Sequence, residues 1–371
     1  MRVVGGRLGI GRHHGSLVLW AALGLFAVPG RASSFIIIPT YDSTIVKDAN
    51  SAAIENAINL AIQQYENLIT NTVTVKIYFE EMSGGLGASD TMPETGTYQS
   101  FYDHLVANNA NPAAIAALNA NGGNANTNGG VNPVTHNPFI DAKTPDIRAL
   151  GFTNGPDCVL TTIAAAQYGL PYLCANGSGS NAYDGIIGLN VGITYPPKTA
   201  GSTTYGLISV AEHEIDEVLG LGSALYNCTP SNAPSGTACK ADGVLNASND
   251  GDGNPMPEDL FRWSAATGGT RTLGTNCASP TSAYFSYGPS TGAVAQFNNA
   301  CNGADFGDWA GNSPVRTQDA YGTPNTNPTI GYAEISALSA IGYNVVPEPS
   351  TWAMLLVSLA GLGIAKRRLQ P

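Results

Sequence analysis

The stretch that most limits what this chain can fold into runs from Tyr205 to Leu219. Ile208, Ala211, Ile215, Val218 and Leu219 recur at helical spacing and form one apolar stripe. At about 100° per residue, His213, Glu217 and Gly220 fall on the opposite side. The segment reads as a helix that buries its back and shows a polar pair to a cleft. Residues four apart stack on one face, so the His213 imidazole and the Glu217 carboxylate can grip one ion. Gly220 and Gly222 are natural helix stops. Glu212, Glu214, Asp216 and Glu217 crowd around His213, and a bound cation would relieve their repulsion. Acids also favour a first helical turn without any metal, and Ser209-x-x-Glu212 has the form of a capping box. That reading needs the helix to begin near Ser209, whereas the apolar phase starts earlier.

Glu212-His213-Glu214-Ile215-Asp216-Glu217-Val218-Leu219-Gly220 resembles the H-E-x-x-H metal-binding helix of zinc metalloproteases, with Glu217 at the second histidine. The resemblance implies zinc held by His213 and Glu217, with Glu214 as general base. In such a site the metal polarises the scissile carbonyl and acidifies a water, and the carboxylate takes the proton. Imidazole with carboxylate is an acceptable zinc pair, although the extra negative charge makes the ion less electrophilic and the chemistry slower. Metzincins continue as H-x-x-G-x-x-H; Gly220 matches their glycine, and Ser223 stands where their last ligand would be. His104, His136, Asp252, Glu258 and Asp259 remain open as a third ligand. Further along, Phe261-Arg262-Trp263-Ser264, Tyr284-Phe285-Ser286, Ala295-Gln296-Phe297-Asn298, Asp305-Phe306-Gly307-Asp308-Trp309 and Gln318-Asp319-Ala320 follow in order. The whole resembles exported zincin-like metalloproteases of Gram-negative bacteria that carry a PEP-CTERM tail, over most of the mature chain. The implied fold is α+β: a zincin-like mixed sheet on a long N-terminal helix and the metal-site helix, followed by a loop-rich, disulfide-containing C-terminal part. The implied function is that of a zinc-dependent metalloendopeptidase acting on protein or peptide. The alternative is a catalytically inactive zincin-fold protein that binds at the cell surface or in the extracellular matrix.

The two ends carry addresses. Arg2, Arg7 and Arg12 precede an apolar core, Ser16–Val28, and Gly30-x-Ala32 offers a small-residue cleavage site, so residues 1–34 read as a signal peptide. The apolar run is short for a spanning helix. At the other end Pro347-Glu348-Pro349 is followed by an apolar run, Ala353 to Ala365, and by Lys366-Arg367-Arg368. This resembles the PEP-CTERM sorting tail, which implies recognition by an exosortase. A basic cluster is the expected cytoplasmic anchor of a transmembrane segment, with Trp352 and a snorkelling Lys366 completing a short span. The expected path is export, a tether in the inner membrane before processing, then release to the cell surface or the extracellular space. The expected divisions are 1–34 signal, 35–223 zincin-like part with the metal-site helix, 224–345 C-terminal subdomain and 346–371 sorting tail.

Between the ends nine basic residues face 26 acidic ones, a net charge of −17. Phosphate binding needs a basic face, so nucleic acid is excluded as a partner. Six cysteines in an exported chain favour three disulfides. Chain order suggests Cys158–Cys174, Cys228–Cys239 and Cys277–Cys301, other pairings staying open. With no Cys-x-x-Cys spacing, a thiolate zinc site is not expected.

Alternation and helical periodicity give a strand at Phe35–Pro39, a helix at Asn50–Thr70, a strand at Thr72–Phe79, and helices at Tyr98–Ala107, Pro112–Leu118 and Gly331–Ile341. Gly122–Asn137 reads as an exposed loop, and Asp146–Phe152 and Asp184–Asn190 as further strands. Asp184–Asn190 is either an ordinary sheet strand or, by the resemblance, the edge strand on which substrate lies extended. Asp250, Asp252 and Asn254 alternate as oxygen ligands do in calcium loops, but Asn, Asp and Gly also simply make turns. No bidentate Glu stands at EF-hand spacing. Asp305 and Asp308 beside Trp309 could hold a sugar or merely pack. No nucleophile elbow or phosphate-binding Gly-rich loop is present.

Overall fold

The structure is a computed structural model. It describes residues 34–108, 110–167, 170–225, 253–273, 282–289, 291–300, 303–311 and 313–346. The elements in chain order are β1 (Phe35–Tyr41), α1 (Ser43–Val46), α2 (Ser51–Leu68), β2 (Val73–Glu81), β3 (Gly87–Asp90), β4 (Pro93–Thr97), α3 (Tyr98–Asn108), α4 (Pro112–Ala120), α5 (Ala125–Asn128), β5 (Phe139–Lys143) and α6 (Thr144–Ala149). Then come β6 (Cys158–Gln167), β7 (Leu170–Asn176), β8 (Gly185–Leu189), β9 (Thr194–Tyr195), β10 (Tyr205–Gly206) and α7 (Leu207–Leu219). A 3-10 turn (Pro257–Phe261), β11 (Arg262–Trp263), β12 (Tyr284–Phe285), β13 (Ala295–Gln296) and α8 (Tyr332–Ile341) complete the described part.

The main sheet has the order β1-β2-β8-β3, with the first three strands parallel and β3 antiparallel to β8. Alternation sets its faces: Phe35 and Ile37 of β1 are buried while Ile36 and Ile38 are exposed. Val73, Val75, Ile77 and Phe79 of β2 are buried in phase with them. Helix α2 supplies Ile54, Ala57, Ile58, Ala61, Ile62 and Tyr65 to the same core, and the Ala211, Ile215, Val218 and Leu219 stripe of α7 joins them. The Tyr65 hydroxyl ties the two helices by donating to the Glu212 carbonyl at 2.6 Å. The result is a mixed α/β architecture. The Cys158–Cys174 disulfide cross-links the β6–β7 hairpin. The other four cysteines lie outside the described residues.

Three expectations change. Thr144–Ala149 is helical and not part of a strand, because Pro145 sits in its first turn, where its fixed φ suits a helix. Asp146 near the start and Arg148 near the end complement the helix dipole. Asp184–Asn190 does form a strand, β8, but it lies between β2 and β3, and β3 takes the end of the sheet. Gly122–Asn137 contains the short helix α5 and a turn organised around buried Asn132, whose side-chain oxygen accepts from the Val134 and Thr135 amides. Asparagine here makes an Asx turn rather than an exposed loop.

Two buried carboxyls away from α7 contribute to the pH response. Burial pushes Glu80 on β2 up to about 7, against the hydrogen bond from the Tyr172 amide. Burial and the nearby Glu94 charge push Asp157 up to about 7. In the unfolded chain both ionise near pH 4. The fold therefore binds more protons than the unfolded chain between about pH 4 and 7, and stability falls as pH rises through that window. We expect the melting temperature to decline from about pH 5 to pH 8. The double variant Glu80→Gln, Asp157→Asn should flatten the decline; an unchanged slope in that variant would remove these two groups as its cause.

Candidate metal centre

Helix α7 starts two residues before Ser209, at Leu207 after Gly206. Ser209 makes no capping box with Glu212; instead the Asn327 side chain accepts from the Ser209 amide at 3.0 Å. The helix stops at Gly220, whose φ of 123° an L side chain rarely adopts. The stripe and its opposite face are as the periodicity predicts, except that Gly220 packs against Asp146 and Ile341.

The four acids of the helix divide into two groups. Glu212 and Asp216 are fully buried and turn toward Tyr65 and Glu334. Glu212 accepts the Ile330 amide at 2.9 Å, and burial pushes its carboxyl up to about 8. Burial also raises Asp216 well above the carboxylate range. Burial favours the protonated form of both, and protonation relieves their repulsion without a cation. Glu214 and Glu217 share the surroundings of His213.

The His213 Nε2 lies 3.6 Å from Glu217 Oε1 and 3.7 Å from Asp308 Oδ1. Ligand atoms of these three residues all fall within 4.8 Å of one another, the one such group of three among the described residues. Metal arms of about 2.1 Å place neighbouring donors about 3.0–3.5 Å apart, so a small closure would bring the three within reach of one ion. The imidazole is prepared for this. Its Nδ1 is 3.0 Å from the Thr317 carbonyl, which can only accept, so Nδ1 carries a hydrogen and Nε2 is the ring nitrogen turned toward the carboxylates, the one that would ligate in place of its own proton. Ser89 of β3 donates to Glu217 Oε2 at 2.6 Å and fixes that carboxylate. The Gln318 amide nitrogen lies 3.4 Å from His213 Nε2 and donates to Asp308 Oδ1 at 3.0 Å.

Lys143 stands behind the cluster, donating to the Glu217 and Leu221 carbonyls at the end of α7. Burial lowers its pKa, while Glu217 and Asp305 act in the other direction. The same ammonium helps hold Glu217 down. Burial alone would raise Glu217, but the hydrogen bond and charge of His213, with Lys143 and Ser89, depress it to about 2. Burial disfavours charge on His213, and the Asp308, Glu217 and Glu214 carboxylates outweigh that and raise it. Burial raises Glu214, and the adjacent Glu217 charge adds to it. Glu214 is 5% exposed and its Oε1 lies against Gly87 of β3; a Cβ there would sit 2.5 Å from it.

Of the five candidate third ligands, none of the four in the described residues joins His213. His104 is bound to the Leu150 carbonyl and stacked on Phe152. His136 sits in the Asn132 turn. Glu258 accepts the Gly222 amide, and Asp259 accepts from Ser223, Ala224 and Met256. These carboxylates organise the turn after α7, and Ser223 serves that turn. Asp252 lies outside the described residues, as does Asp250. Asn254 is 2% exposed; its amide donates to Asp141, and its carbonyl accepts from Asn137. Asp308, which sequence reasoning weighed only as a sugar contact or packing residue, is the group that completes the cluster. It is 4% exposed, while Asp305 is open to solvent.

Comparison with known proteins adds one finding. Residues 345–368 match the PEP-CTERM protein-sorting motif. No curated protein matches the chain, and no solved structure matches it. Pro347, Glu348 and Pro349 and the apolar run after them fall inside the matched segment and outside the described residues. Among the described residues no helix is long and apolar enough to cross a membrane. The C-terminal motif marks this chain as an exported protein directed to the cell surface by an exosortase-type system.

Proposed function

We propose that the exported protein is a zinc-dependent metallopeptidase of zincin-like type, with His213, Glu217 and Asp308 as metal ligands and Glu214 as general base. The observation that carries this reading is the convergence of one imidazole nitrogen and two carboxylate oxygens beside a further, nearly buried carboxyl. One nitrogen and two oxygens form an acceptable zinc donor set. The ion, when bound, supplies carbonyl polarisation and acidification of water. The chain supplies the rest. Thr317 sets the histidine tautomer, Ser89 orients Glu217, and Glu214 receives a proton from water at its Oε atoms. Strand β3, at the end of the sheet and beside α7, is the natural wall for an extended peptide.

A second reading is a non-catalytic surface or matrix protein that uses the ion for structure. It is favoured by the second carboxylate ligand, which weakens the ion as an electrophile, and by the burial of Asp308. Metal analysis and peptide cleavage separate the two. We expect the purified full chain to hold about one equivalent of zinc after dialysis and His213→Ala to hold none. Cleavage of a peptide library that stops on chelation supports the peptidase. Zinc without cleavage selects the structural reading, and absence of metal removes both forms of the site.

A further inference from the structure

We infer that Gln318 is a fourth donor to the ion, through its side-chain oxygen. The inference rests on the metal reading above. Gln318 is 1% exposed. Its Nε2 sits where a cation would be wanted, 3.4 Å from His213 Nε2 and 3.0 Å from Asp308 Oδ1. Its Oε1 is fully buried with no hydrogen-bond partner. A buried carbonyl left unpaired is costly, and this orientation keeps it unpaired so that the NH2 group can donate to Asp308. Turning the amide by half a turn about its last bond exchanges the two ends. The oxygen then lies about 3.0–3.4 Å from Asp308 Oδ1 and His213 Nε2, the spacing of neighbouring ligands on one ion with arms of about 2.1 Å. That turn also removes the unpaired carbonyl.

The backbone at this point is held firmly enough for such a role. The Gln318 carbonyl accepts the Trp309 amide at 2.8 Å, and its own amide donates to Glu334 Oε1 at 3.3 Å. Thr317, the residue before it, carries the carbonyl that sets the His213 tautomer. Two adjacent residues thus address both nitrogens of one imidazole. The amide end donates to Asp308 when no cation is present, and the oxygen end ligates when one is. The site becomes one nitrogen and three oxygens, with a net ligand charge of two carboxylates. An amide oxygen adds no charge, so it fills a position without further weakening the ion.

The test is zinc titration of the full chain against a chromophoric chelator, with wild type, His213→Ala, Gln318→Ala and Gln318→Glu. We expect Gln318→Ala to bind about tenfold or more weakly, and Gln318→Glu to recover or exceed wild-type affinity. Cobalt(II) in place of zinc should show a changed visible spectrum in Gln318→Ala, which a purely structural glutamine would not produce. If both Gln318 variants bind as wild type while His213→Ala does not, Gln318 is not a ligand and the metal site stands. Loss of binding in Gln318→Glu together with Gln318→Ala also overturns the inference, since a carboxylate there can ligate. If wild type itself binds no zinc, the metal reading fails and this inference with it.

Discussion

Gly307→Ala is expected to weaken zinc binding about a hundredfold and to destabilise the fold by about 2–3 kcal/mol. Gly307 sits between Phe306 and Asp308 and crosses the turn that follows α7 at very short range. A Cβ at this position would lie 2.5 Å from the Gly222 Cα, 2.6 Å from the Ser223 nitrogen and 2.7 Å from the Gly222 carbonyl carbon. All three are backbone atoms, so no side chain can rotate away. One strand of chain must retreat by roughly 1 Å, because ordinary contact begins near 3.4 Å. The turn cannot easily be the part that moves. Its Gly222 amide is bound to Glu258, its Ala224 amide to Asp259, and Lys143 grips the Glu217 and Leu221 carbonyls just before it. The segment that yields is therefore the one carrying Asp308, and the carboxylate leaves the His213 group. Gly155→Ala is the control, with open space around its Cβ and no positive φ. Zinc titration and thermal melts on both variants check the result. Wild-type affinity in Gly307→Ala would mean that the contact does not set the position of Asp308.

This dependence on a distant loop explains what could and could not be read in the chain. His213 and Glu217 are legible because a helix converts a spacing of four residues into a shared face, a rule that needs no tertiary information. The same periodicity gives α2, α7 and α8, and alternation gives β1 and β2. Asp308 and Gln318 have no such rule. They reach the imidazole from irregular segments, joined by bridges between Trp309, Phe297 and Asp319. Nothing local distinguishes Asp308 from Asp305, yet one is buried and the other open to solvent. The nearest thing to a signal is the neighbouring Trp309, fully buried and donating its indole N–H to Glu334, which pins the segment to α8. The place of β8 inside the sheet was equally hidden, because strand order is set by long-range pairing and not by the strand's own residues. The error at Asp146–Phe152 has a different origin. Pro145 is a local helix-start cue, since its fixed φ suits a first helical turn.

Glu214→Gln should leave zinc bound and lower the rate of peptide cleavage by about 10²–10⁴-fold. The variant keeps the length and shape of the side chain, which matters because the Glu214 carboxyl lies close against Gly87, its Oε1 and Cδ 2.5 and 3.0 Å from where a Cβ there would sit. It removes the one property the proposed reaction requires at that place, the capacity to take up a proton. Without a cation, burial and the Glu217 charge favour the protonated form of this carboxyl, the wrong form for a base. A divalent ion on His213, Glu217 and Asp308 neutralises the charges that oppose its ionisation, so binding of the ion and readiness of the base are linked. The comparison with His213→Ala gives the argument its force. Loss of the ligand should abolish both metal and activity, whereas loss of the base should separate them. A Glu214→Gln protein that still cleaves at the wild-type rate would assign the proton transfer elsewhere. One that no longer holds zinc would make Glu214 part of the metal's own binding set and remove the case for it as the base.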